Sequence, residues 1–218
     1  MAASPGLRAR KKEQTRLLIA DTARRLFAER GFEAVTVADI ARAADVAPKT
    51  VFNYFPTKED LFYSRLEAFE DELLAAVRER EPGESALAAF RRFLMSRGGV
   101  LQMEDAGGDR EATRQLRMVT RVITDSPALL ARERQVIGRY EEALAALLAE
   151  ETGVAPEAAE SRAAANALLG VHRSLIGNVR ERTLAGATAS QVATEIQAQA
   201  EVAFKRLEDG LGDYAVRS

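Results

Sequence analysis

The chain has 218 residues, room for one large domain or a small domain followed by a larger one, and its 31 Lys/Arg against 33 Asp/Glu leave a net charge of −2. It holds no cysteine and a single histidine, His172; disulfides and thiolate metal sites are excluded, and a histidine metal cage is equally hard to build. No apolar run approaches the ~20 residues that span a bilayer, and the basic N-terminus lacks the apolar stretch of a signal peptide, so the expectation is a cytoplasmic protein with no membrane segment, metal or other cofactor.

The charge divides unevenly. Residues 1–58 carry a net +5 and the remainder a net −7, which points to a polyanionic partner met by the front of the chain alone. Alternating β-branched runs are absent, while Ala, Leu, Arg and Glu recur with a 3.6-residue period. This predicts an all-α fold of about nine helices. The first helix is expected from about Lys11 to Arg30, with Ile19, Ala23, Leu26 and Phe27 on one apolar face and Gly31 as its stop. Thr36-Val-Ala-Asp39 reads as a capping box that opens a short second helix, with Val37, Ile40, Ala41 and Ala44 inward. After a break at Asp45-Val46-Ala47, Pro48 takes the first position of a third helix, which ends near Phe55 because Pro56 disfavours helical geometry before it. Thr57-Lys-Glu-Asp60 is a second capping box and starts a long fourth helix to about Arg80.

Three helices in under about fifty residues, with a tight break before the third, outline a helix-turn-helix. Val51 and Phe55, four apart, point inward, which leaves Pro48, Lys49, Thr50, Phe52, Asn53 and Tyr54 for the outer face and its edges. A phenylalanine there can touch a thymine methyl, and Asn53, where it reaches the groove, can pair with adenine. The N-termini at Thr36 and Thr57, with Lys58 beside the second, offer N–H groups and positive dipole ends to phosphates. The segments Gly31-Phe32, Thr36-Val-Ala-Asp-Ile-Ala41, Val46-Ala-Pro-Lys-Thr-Val-Phe-Asn-Tyr-Phe-Pro56 and Lys58-Glu-Asp-Leu61 closely resemble the DNA-binding module of the TetR family, over about residues 12 to 70. The resemblance implies that Thr50 and Tyr54 bond phosphates while Lys49 and Phe52 face base edges. Three positions depart from it: Asp45 replaces a frequent glycine, Ala47 a frequent serine cap worth ~1 kcal/mol, and Phe52 a frequent tyrosine. For the basic run Arg8-Ala-Arg-Lys-Lys12, with Arg16, two readings stand: an arm entering the minor groove, or a disordered tail that raises non-specific affinity.

Five further helices are expected at about 84–97, 110–125, 128–152, 156–185 and 188–211. The glycine-bracketed stretch 98–108 has no lysine and no phosphate-loop spacing, so it reads as a hinge or lid. The run from Arg114 to Gly153 resembles one branch of the family's C-terminal domains. On the eighth helix, Ala163, Ala167, Gly170, Ser174 and Gly177 form a seam of small residues, suited to close approach by a second subunit or by the chain's own last helix. The opposite face carries Leu168, His172, Leu175 and Val179. Met118, Val122, Tyr140, Leu144, Leu168, His172 and Leu175 are the candidates to line a ligand pocket, and core packing is the competing role of each. No Ser, Cys or paired carboxylate is tied to His172 by spacing, so no catalytic site is expected.

The domain expectation is a DNA-binding head at 8–70 and a helical effector-binding and dimerisation domain at 71–218. The function expected is a ligand-responsive regulator, a repressor, bound as a homodimer to a palindromic double-stranded DNA operator and released by a small apolar effector. Two rivals are a helical-bundle carrier or enzyme with a vestigial head, and a constitutive DNA-binding protein with no effector.

Overall fold

The structure, a computed structural model, describes residues 6–96, 108–155 and 157–217, with the backbone alone at 7–9, 65–68 and 70. Most of the glycine-bracketed stretch 98–108, and Pro156 at the expected start of the eighth helix, lie outside the described residues. Among the described residues there are ten helices and one isolated antiparallel bridge, Ser85 to Val216, with no strand. The helices are α1 (Leu7–Arg30), α2 (Val37–Ala43), α3 (Pro48–Tyr54), α4 (Lys58–Phe62), α5 (Ser64–Arg78), α6 (Ala86–Ser96), α7 (Asp109–Thr124), α8 (Pro127–Thr152), α9 (Ala159–Leu184) and α10 (Ala189–Leu211). No helix among these residues is long and apolar enough to cross a membrane.

The all-α architecture is the one the periodicity predicts, with one helix more. The single helix expected from Thr57 to about Arg80 is two, because Tyr63 leaves helical geometry at φ −91°, ψ 14°. Its buried ring and its hydroxyl, which donates to the Leu129 carbonyl at 3.2 Å, hold it there. That partner lies far along the chain, so nothing local announces the break.

The chain divides into two compact units: Met1–Ala68 with Val122–Arg132, and Phe69–Arg121 with Glu133–Ser218. In the first unit, Ile19, Ala23, Leu26 and Phe27 of α1 meet Ile40 and Ala41 of α2, Val51 of α3 and Leu61 of α4 in one buried core, which Leu129 joins. An aromatic group closes it, with Phe27 5.0 Å from Phe32 and Phe62 edge-on to both Phe32 (6.2 Å) and Tyr63 (5.1 Å). Burying each such large apolar side chain contributes about 1.5–3 kcal/mol, which offsets the poor intrinsic stability of helices of five to seven residues. Gly31 ends α1 at φ +79°, where a side chain would be strained. Asp45 takes φ +53° in the break before α3, a left-handed conformation that aspartate tolerates better than most residues.

In the second unit α9 and α10 form the most extensively packed pair, and α6 lies on α10, with Phe90 6.2 Å from Phe204. The N-terminus of α10 is fully capped. Thr188 and Gln191 make a reciprocal box, Thr113 accepts from the Ala189 N–H at 2.8 Å, and Asp109 accepts from the Ser190 N–H at 2.7 Å. The first two turns of α7 are thereby fixed to the α9–α10 connection. The largest fully buried side chain of the unit is charged: Arg80. Its guanidinium donates to both carboxylate oxygens of Glu151 (2.8 and 2.5 Å) and to the carbonyls of Val77, Glu84 and Ala215 (2.5, 2.9 and 2.5 Å). All five N–H bonds are used. Arg217 donates in turn to the Arg80 carbonyl, so one buried cation ties the end of α5, the end of α8 and the C-terminal residues together. Such a pair is stable only as a complete set, since losing one partner typically costs about 3–5 kcal/mol.

Candidate nucleic-acid interface

The candidate face is built by two short helices with complete caps and a third with none. At α2, the Thr36 hydroxyl accepts from the Asp39 N–H at 3.1 Å, and the Asp39 carboxylate accepts from both the Thr36 N–H (3.1 Å) and the Thr36 hydroxyl (2.6 Å). Those bonds, with Arg42 and Arg30 nearby, hold the Asp39 carboxyl below the usual carboxylate range. At α4, the same reciprocal box forms between Thr57 and Asp60. Between them, α3 starts on Ala47 with no side-chain cap, and Pro48 occupies its first turn.

With Val51 and Phe55 almost fully buried, α3 can turn only one face outward. Pro48, Lys49, Phe52 and Asn53 are exposed on it, Phe52 at 51%, while Thr50 and Tyr54 are half-buried at its edges. Thr36 is exposed at the start of α2, its hydroxyl already engaged by Asp39. Lys58 is half-buried, and sequence reasoning missed its partner. Its ammonium donates to the Phe32 carbonyl at 2.9 Å and sits 4.1 Å above the Phe32 ring, a cation–π contact. The cation closes the α4 N-terminus onto the turn after α1, leaving two of its three donors for another acceptor. Arg16 lies over the Phe55 ring at 5.5 Å. The backbone is helical from Leu7, so the basic run lies on the first turns of α1. Arg10, Lys11 and Lys12 are exposed on α1.

In the second unit Tyr140 and Leu144 of α8 and Leu168, His172 and Leu175 of α9 are buried, and Met118 of α7 is half-buried. Val122 departs from this set. It belongs to the first unit and packs against that unit's apolar core, a contact between distant segments that helical spacing could not reveal. His172 stacks on Phe69 (5.3 Å between ring centres, 15° between planes), and Phe69 lies 5.2 Å from Phe93. Its Nδ1 has no hydrogen-bond partner among the described residues. Burial alone pushes the imidazole down to about pKa 4 from 6.5, so the ring is neutral at pH 7. The small seam on α9 faces open space: a Cβ placed on Gly170 or Gly177 meets no atom within 4 Å. Ala163 and Ala167 line an open groove of about 430 Å³ with Leu207, Leu211 and Tyr214.

Residues 19–64 match the family described as bacterial regulatory proteins, tetR family, and residues 95–212 match the MftR C-terminal domain. The chain is similar to the HTH-type transcriptional regulator TcmR of Streptomyces glaucescens, 33% identical over 150 residues that make up 69% of this chain and 66% of TcmR. Over 68 residues, 31% of this chain and 33% of the relative, it is 40% identical to the HTH-type transcriptional repressor KstR2 of Rhodococcus jostii. Among solved structures, Salmonella enterica GusR superposes with a TM-score of 0.55 at 21% identity, covering 91% of this chain and 96% of GusR. At that identity the likeness is one of fold.

The depressed pKa of His172 fixes a sign. Between pH 6.5 and about 4 the unfolded chain binds a proton that the folded chain refuses, so this group's contribution is intact above pH 6.5 and is lost as pH falls through that window. The His172→Phe variant has no such group. Urea unfolding at pH 7 and at pH 4.5 should show wild type losing roughly 2–3 kcal/mol more than the variant; parallel losses would mean that His172 is protonated in the folded state.

Proposed function

Given that the chain belongs to the TetR family of DNA-binding transcriptional regulators, we propose that it acts as a homodimeric repressor, released from a palindromic operator by a small apolar effector. As a member of that family it is a regulator and not an enzyme. DNA reading is assigned to residues 8–70 and the effector and dimer functions to 71–218, at work in the cytoplasm where the operator is. The observation that carries the DNA assignment is the exposed face of α3, where Lys49, Phe52 and Asn53 stand out from a helix whose other side is locked into the core. Lys49 and Asn53 supply hydrogen bonds to base edges and Phe52 an apolar contact to a thymine methyl. Thr50 and Tyr54 at the edges of α3, and the N-termini of α2 and α4 at Thr36 and Lys58, supply phosphate contacts that set the register. Pro48 presets the first turn of α3 in place of a cap.

The dimer assignment rests on the α9 seam. Two glycines inside a helix cost about 0.5–1 kcal/mol each relative to alanine, and among the described residues no contact requires them. Close approach of a second copy does. The half-buried Leu207 and Leu211 and the 63%-exposed Val202 on α10 extend the same apolar surface. The effector assignment is carried by His172, a buried neutral ring with an unused hydrogen-bonding nitrogen among Phe69, Leu168 and Leu175. Tyr140 and Met118 complete a lining that suits a neutral, largely apolar ligand. The repressor assignment follows KstR2, whose name states that role.

On a duplex selected from a random library by the wild-type protein, a Lys49→Ala, Asn53→Ala, Tyr54→Ala triple variant should lose at least about 3 kcal/mol of affinity, with relaxed base preference at the contacted positions. Unchanged affinity would move DNA reading away from α3. Sedimentation equilibrium at low micromolar concentration should find dimers of wild type and monomers of a Gly170→Leu, Gly177→Leu double variant; a surviving dimer would place the interface elsewhere. Leu168→Trp fills the proposed ligand space, and should abolish release by compounds that free the wild-type protein while operator affinity stays within about twofold. A variant that loses DNA binding along with stability marks Leu168 as tight core and favours a constitutive regulator.

A further inference from the structure

The first unit is discontinuous, and the segment that completes it is held at three polar points as well as by Leu129 in the core. Ser126, the residue before α8, donates its hydroxyl to Glu33 in the turn after α1 at 2.6 Å and accepts from the Leu129 N–H at 3.3 Å. The Leu129 carbonyl accepts from Tyr63, where α4 ends. The third point is Asp60. One of its oxygens, Oδ2, accepts from the Thr57 N–H at 3.0 Å and closes the cap of α4. The other, Oδ1, lies 2.5 Å from the Arg132 guanidinium, with the carboxylate side chain 8% exposed and the arginine 24%.

A carboxylate this buried needs a compensating cation nearby. Lys58, two positions away, is turned toward Phe32, and Arg132 supplies the charge from across the sequence. We infer that Arg132 is a positioning residue for DNA binding: through Asp60 it holds the capped N-terminus of α4, and with it Thr57 and Lys58, in the geometry that meets the phosphate backbone. The peptide bond after Arg132 gives the pair a further significance. Glu133, the next residue of the same continuous helix, is bound to Arg180 of α9 by two contacts of 2.9 and 2.5 Å, and the division between the two compact units falls between these neighbours. Arg132 is therefore the last residue of α8 that belongs to the first unit.

This inference rests on the assignment of phosphate contacts to the α4 N-terminus. In the full-length protein, Asp60→Asn keeps an acceptor for the Thr57 N–H while removing the charge, and Arg132→Gln removes the cation. Each should weaken binding to the selected duplex roughly three- to thirtyfold, the range that coupled residues outside a contact surface typically carry. The double variant should lose no more than the worse single one, and Arg132→Lys should recover most of the affinity. Binding is measured well below each variant's unfolding midpoint, with the slope of affinity against salt as the second readout: loss of a phosphate contact by Lys58 or the α4 N-terminus flattens it, whereas loss of stability alone leaves it unchanged. Additive losses, an unchanged salt slope, or wild-type affinity in Arg132→Gln would overturn the inference. A Lys58→Ala control with unaltered salt slope would instead overturn the phosphate assignment beneath it.

Discussion

A seven-residue helix without a side-chain cap does not persist by itself in water, because forming its first turn fixes several residues for a single hydrogen bond. Helix α3 exists because Val51 and Phe55 are removed from solvent into the core made by α1, α2 and α4. Those two side chains hold α3 together and determine which of its faces looks outward. The remaining exposed positions then have one orientation available to them. The outward placing of Lys49, Phe52 and Asn53 is thus a by-product of apolar packing on the reverse side of the same helix. The missing cap at Ala47 is tolerated for the same reason, since burial of two large side chains outweighs a loss of ~1 kcal/mol.

The helices flanking α3 solve the same problem with polar chemistry. Both capping boxes satisfy two backbone donors with one residue pair three apart. In α4 the device is pressed into additional service, because the Asp60 carboxylate also faces a guanidinium from a distant segment. Lys58 shows a similar economy, with one ammonium bridging a carbonyl and an aromatic face. The unit reads as a small apolar core whose edges are fastened by charged groups with more than one partner. The second unit inverts the pattern by placing its most connected charge, Arg80, in the interior.

Local periodicity made much of this visible. Thr36 with Asp39, Thr57 with Asp60, and Val51 with Phe55 are pairs within one helical turn, and each occupies the place its spacing implies. The left-handed Asp45 and the stop at Gly31 are likewise written into single residues. Long-range partners leave no such mark. Tyr63 breaks a helix because of a carbonyl at Leu129, and Val122 joins the core of the first unit although most of its helix belongs to the second. Arg80 reads in sequence as an ordinary charge near a helix end. Its four partner residues come from α5, the turn before α6, the end of α8 and the C-terminal residues, and no spacing rule assembles them. The return of Val122–Arg132 to the first unit is likewise unmarked, since a contiguous segment is all that a local pattern can delimit.

That split has a consequence in time. Leu129 lies 66 positions beyond Tyr63, its partner in the first unit. At synthesis rates of about 5–20 residues per second, this separation corresponds to roughly 3–13 seconds of elongation. During that interval neither Leu129 is available to the core of α1 to α4 nor Arg132 to the Asp60 carboxylate. The first helices made are not the first unit completed. Completion of the first unit is deferred until more than half of the polypeptide has been polymerised, by which point Phe69–Arg121 of the other unit has already been made.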